Sequence, residues 1–136
     1  MKKIYNNVIP FRGYKAMALW PWIFIRNKAK ALFTERTERH ENTHGEQQKE
    51  LLAVGTILCA VLMLSGCGWW SLMALPLFLW LYGLFYLVGL VRYHDHDRAY
   101  YNNPFEQEAY RNQENLLYLE NRHLFAWVKY IGKNYY

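Results

Sequence analysis

The longest gap in this 136-residue sequence is one of charge. Residues 51–91 contain no Asp, Glu, Lys or Arg, a run of 41 positions. As one helix that run would be about 60 Å long, twice the roughly 30 Å hydrocarbon core of a bilayer. It must fold back on itself, and a soluble hairpin of this kind needs a covering mass that so short a chain does not have. Cysteine is scarce. Cys59 and Cys67 stand eight positions apart in the apolar run and match no metal or redox spacing, which leaves them the role of small buried hydrophobes. The two lysines at the start, Lys2 and Lys3, have no apolar stretch behind them, so a signal peptide is not expected and the N-terminus is expected in the cytoplasm. No internal repeat or low-complexity segment is visible. A net charge of +5 with a pI near 9.2 is compatible with nucleic acid. The cations are scattered and form no stripe, however, which speaks against nucleic-acid binding and for a surface facing anionic lipid.

What the sequence has in quantity is aromatic and apolar side chains, 18% and 53% of residues, including 12 Tyr and 6 Trp. That density suits a membrane boundary, where amphipathic rings sit among the headgroups. The turn expected at Gly66-Cys67-Gly68, with Trp69-Trp70 as interfacial anchors, divides the apolar run into one span ending near Ser65 and another over residues 70–91. Arg36, Arg39 and Lys49 precede this pair and Arg92 and Arg98 follow it, while the intervening turn carries no charge. The positive-inside tendency therefore predicts two spans with both termini in the cytoplasm.

Four regions follow. In residues 1–33, Val8-Ile9-Pro10-Phe11 and the run 16–25, with turn material at Arg12-Gly13, predict a short antiparallel hairpin. Pro21 suggests an edge strand or a bulge. Residues 34–50 predict a helix capped by Thr34 or Thr37 that continues without proline to Leu64, with Gly45 a weak point. Residues 51–91 are the apolar hairpin. In residues 92–136, Asn103 as cap and Pro104 at the first helical position predict a helix to about Arg122, then an aromatic and basic tail, 125–131, suited to the membrane interface.

Chemistry concentrates at His40-Glu41-Asn42-Thr43-His44. Four residues is just over one helical turn, so both imidazoles leave one face and can hold one metal ion, while Glu41 can take a proton from water. A catalytic zinc needs a third protein ligand and an open position. Candidates lie in Phe105-Glu106-Gln107-Glu108-Ala109-Tyr110, which two spans would return to the side of the bilayer where His40 and His44 lie. Glu106 also stands where a capping-box glutamate would, three positions after Asn103, and Glu108 is the other candidate ligand. His94 and His96 flank Asp95 and diverge on a helix, which makes them interfacial polar residues first and substrate contacts second. Tyr100, Tyr101 and Tyr110 are possible donors to an oxyanion.

The order H-E-x-x-H, apolar hairpin, then E-x-x-A on a following helix resembles integral-membrane gluzincins such as the CAAX prenyl-protein endopeptidase and heat-shock membrane protease group, over roughly residues 36–112. The resemblance implies a minimal zincin-like α+β unit, mainly helical, with a zinc ion held by His40, His44 and Glu106 and with Glu41 as catalytic base. It implies a peptidase of the bacterial cytoplasmic membrane acting on peptide or membrane-protein substrates. The family's Asp after Ala is Tyr110 here, which removes the usual partner of a zinc histidine. The competing expectation is a zincin-like membrane module without catalysis, with a structural or sensing role.

Overall fold

A computed structural model describes residues 1–10 and 13–135. The chain is mainly helical, with a small three-stranded sheet at its N-terminal end. Strands β1 (Lys2–Asn6), β2 (Ala16–Leu19) and β3 (Trp22–Arg26) lie in the order β1-β3-β2. β1 runs parallel to β3, pairing Lys3 with Ile23, and β2 runs antiparallel to it, pairing Ala18 with Ile23. A hairpin is present, but its strands are 16–19 and 22–26, and Pro21 lies in its turn instead of interrupting a strand. Val8, Ile9 and Pro10 form no strand, and Phe11 and Arg12 lie outside the described residues. Alternation along the strands puts Ala16, Ala18, Ile23 and Ile25 on the buried face, where Met1 and Phe33 complete a small core.

Helix α1 (Glu35–Leu64) starts where Thr34 accepts a hydrogen bond from Thr37 N at 3.3 Å, with Glu35 and Glu38 favourably placed in its first turn. The sheet is pinned to it by the Lys3–Glu38 ion pair at 2.7 Å. Gly45 is where the N-terminus crosses the helix: a Cβ there would lie 2.6 Å from Met1 Sδ. After Leu64 the chain turns and returns as a 3₁₀ segment, Gly68–Ala74, pressed on α1 at Gly55, where a Cβ would meet Ala74 O at 2.3 Å. Pro76, which has no N–H to continue the segment, leads into α2 (Leu77–Tyr93), bent by 63° from it. One helix, Glu35–Leu64, is thus long and apolar enough to cross a membrane, while the returning apolar arm is a bent pair and not the continuous span expected over 70–91. Cys59 is buried as expected. Cys67 is exposed in the turn.

His94, in the left-handed conformation, ends α2. A short helix α3 (His96–Tyr101) follows, capped by Asp95, and then α4 (Pro104–Asn112), capped by Asn103 with Pro104 at its first position. α4 stops ten residues before Arg122. Asn112, Asn115 and Asn121 engage nearby backbone groups, a competition that favours turns over helix. The tail is not simply interfacial. Trp127 and Tyr130 are buried, and the Trp127 ring lies 4.6 Å from Phe105 in the second core, with Leu51 beneath and α2 alongside.

Candidate metal centre

One helical turn separates His40 from His44, and their Nε2 atoms are 3.2 Å apart. The first turn of α4 brings Glu106 onto the pair. Its Oε2 is 3.4 Å from His40 Nε2 and its Oε1 is 3.3 Å from His44 Nε2, while Tyr82 on α2 donates to Oε1 at 2.8 Å. All three side chains are buried, and together they form a group able to hold a metal ion. The separations are those of a tetrahedron's edge, about 3.3 Å when the bonds to a central ion are about 2 Å. Among the described residues, no hydrogen-bond donor reaches Glu106 Oε2. A buried carboxylate oxygen left without a donor is costly, and a cation between the three groups answers that cost. Glu106 is therefore turned to the imidazoles, whereas Asn103 provides the helix cap.

The electrostatics agree. Burial would raise the Glu106 carboxyl, but the His44 charge and the contacts with both imidazoles hold it well below the usual carboxylate range. Burial would lower His44; the Glu106 carboxylate outweighs that and pushes it up to about 9. Glu41, buried beside the pair, is raised by its desolvation, partly countered by His44 and His40 and by a backbone hydrogen bond from Ala18. A carboxylate poised upward in this way is suited to take and return a proton.

Two clefts meet at this group. One, of about 720 Å³, reaches His40 and Glu41 past Tyr14, Lys15, Arg36 and Asp97. The other, of about 250 Å³, reaches the same two residues, His44 and Glu106 past Met17, Leu19, Phe78 and Leu79. The first is the more polar of the two and the second is mostly apolar. β2 is the edge strand beside them, but α1 already occupies part of its edge. Gln48 Nε2 donates to Ala18 O at 2.9 Å, Trp20 N donates to Gln48 Oε1 at 2.7 Å, and Ala18 N–H serves Glu41. Any strand added there is confined to the part of the edge before Ala18.

Tyr110 packs its ring 4.5 Å from that of His40 and is hydrogen-bonded to Tyr100. Tyr100 lines both clefts; Tyr101 and Tyr110 line only the polar one. His94 and His96 are not at the metal group. His94 caps α2, and His96, bonded to Tyr86 at 2.6 Å, lines the polar cleft.

Glu108 does not join this group. It is fully buried on the far side of α4 in an ion pair with Arg122, which is also paired with Glu50. Phe125 N donates to Glu50 Oε1 at 2.9 Å. Glu50, Arg122 and Gln47 escape a reading of the sequence. Only Gln47 had a signal, standing three residues after His44 on the same helix face; its Oε1 lies 2.8 Å from His44 Nδ1.

No protein-family model, no curated protein and no solved structure matches this chain. Fold and site define a mainly helical protein with a small N-terminal sheet, one helix able to cross a membrane, and a buried His-His-Glu group able to hold a metal ion.

Proposed function

We propose that this chain is a zinc-dependent peptidase of the bacterial cytoplasmic membrane, acting at the membrane surface. The observation that carries the reading is the convergence of Glu106 on His40 and His44 with Glu41 buried beside them. Two imidazoles and a carboxylate with an open position suit a catalytic zinc. The same donors suit ferrous iron, and the buried Glu41 weighs for hydrolysis. A zinc ion held there supplies Lewis acidity, polarising the scissile carbonyl and making water acidic enough to attack near neutral pH. Glu41 takes the proton of the attacking water and returns it to the leaving amine. Tyr100, at the junction of the clefts, is placed to donate to the oxyanion.

The apolar part of α1 begins seven residues after His44, about 10 Å along the helix, so the site stays close to the bilayer. A polar cleft meeting an apolar one fits a peptide whose apolar stretch adjoins a polar one, as where a membrane protein leaves the lipid. The spans at 51–65 and 70–91, with both termini cytoplasmic, rest on the flanking cations, the second span as the bent arm. The competing reading, a metal-holding module without catalysis, draws on Tyr110 standing against His40 where an acidic partner would orient the ring.

The test is Glu41→Gln in the zinc-loaded full chain, assayed in micelles with a quenched-fluorescent peptide library. The variant is expected to keep stoichiometric zinc and to cleave about 10²–10⁴-fold more slowly than the wild type. Equal cleavage by both proteins refutes the mechanism. A wild-type chain that takes up no stoichiometric zinc refutes the metal assignment itself.

A further inference from the structure

Behind the metal group lies a buried polar chain whose every hydrogen-bond direction is determined. The Glu108 carboxylate accepts from Tyr118 Oη at 2.7 Å and Arg122 Nε at 2.5 Å on Oε1, and from Gln47 Nε2 at 3.0 Å and Arg122 Nη2 at 3.2 Å on Oε2. Four donors on two oxygens fill it. Gln47 Nε2 also donates to Phe105 O, 3.1 Å away. A carbonyl and a filled carboxylate can only accept, so the Gln47 amide cannot be turned over, and its Oε1 must face His44 Nδ1. His44 Nδ1 must then carry the proton, which leaves the Nε2 lone pair for the metal. His40 has no counterpart, because its buried Nδ1 finds no hydrogen-bond partner among the described residues.

We infer that Gln47 and Glu108, with Arg122 behind them, are positioning residues that lock His44 in its metal-ready tautomer. This rests on the reading of His40, His44 and Glu106 as metal ligands. The chain explains the burial of a second glutamate on α4: Glu106 goes to the metal and Glu108 sets the histidine opposite it. It also predicts a particular failure. In Glu108→Gln, Tyr118 Oη and Arg122 Nε hold the side-chain oxygen in the place of Oε1, and the new amide nitrogen is left facing Gln47 Nε2 and Arg122 Nη2. Two donors cannot meet, so the Gln47 amide must either shift away or turn over against Phe105 O, and in both cases His44 Nδ1 loses the fixed acceptor that holds its proton. The ring is then no longer locked and can carry its proton on Nε2, where the metal binds.

The experiment is zinc competition against a chromophoric chelator, with thermal melting beside it, on the wild type, Glu108→Gln, Gln47→Met and Tyr118→Phe. Tyr118→Phe removes a donor from Glu108 without touching Gln47. Zinc affinity is expected to fall about 10–100-fold in Glu108→Gln and Gln47→Met and to stay at the wild-type value in Tyr118→Phe, whatever the melting temperatures do. A folded Glu108→Gln or Gln47→Met that binds zinc as tightly as the wild type overturns the inference, and so does an equal loss in Tyr118→Phe. Nitrogen-15 NMR of histidine-labelled, zinc-free wild type at alkaline pH needs no variant to fold. A proton on His44 Nδ1 supports the lock and one on Nε2 overturns it. A wild type that binds no zinc condemns the metal reading instead, which keeps the two failures apart.

Discussion

The two halves of α1 obey opposite rules. The first half buries polar side chains, among them His40, Glu41, Thr43, His44, Gln47 and Glu50, while the second exposes apolar ones, with Ile57 67% and Leu64 90% exposed. Glu41, His44, Gln47 and Glu50 take partners from elsewhere in the chain or from the metal group, and Thr43 donates to Arg39 O one turn back on the same helix. Among the described residues the second half is covered on one side only, by the returning arm at Gly55 and Ala74. Burial of polar groups is stable only when the partners are specific, whereas an apolar face exposed along a continuous helix calls for an apolar cover, a membrane or another surface. The helix therefore joins a site built by directed bonds to a segment with an uncovered apolar face, which the lipid bilayer covers in the proposed function.

Breaking the first half should cost most. Arg122→Met leaves Glu50 and Glu108 buried without their cation and is expected to destabilise the protein by about 3–5 kcal/mol in chemical denaturation. A loss below that range would mean water reaches the pair. Ile57→Lys tests the second half: a charge at the centre of a span costs about 2.5–3.5 kcal/mol, so the variant should shift from the membrane to the aqueous fraction in vesicle flotation. Unchanged flotation would place this face outside lipid. The smallest effects come from two glycines on the same helix. Gly55→Ala forces a Cβ onto the backbone oxygen of Ala74 and should cost about 1–3 kcal/mol of thermal stability. Gly45→Ala meets only the flexible Met1 thioether, against a gain of about 1 kcal/mol in helix propensity, and should leave the melting point nearly unchanged. Reversal of that order would show that the arm does not pack on α1.

Local chemistry was legible. Thr34 and Asn103 cap the helices expected of them, His40 and His44 share a face, and the charge-free run locates the apolar arm. The resemblance implies Glu106 with Glu108 as the alternative, and residue type does not separate two glutamates on one short helix; the packing of α4 sends Glu106 to the imidazoles and Glu108 to Arg122. β1 was missed because Lys2-Lys3-Ile4-Tyr5-Asn6 has little alternation of its own; its strand exists through parallel pairing with β3. Composition predicts one continuous helix for the second arm because it registers apolarity, while the backbone stop at Pro76 is local geometry.

By itself, then, the amino-acid order determined the capped helices, the imidazole pair and the apolar arm, all set by interactions within a few residues. Tertiary structure decided that Glu106 and not Glu108 reaches the imidazoles, and which glutamine and arginine stand behind them. Those choices depend on side chains 58 to 74 positions apart, as in Gln47 with Phe105, Arg122 with Glu50 and Arg39 with Gln113. No short-range pattern encodes such distances, because contacts of that separation exist only once the chain has closed on itself.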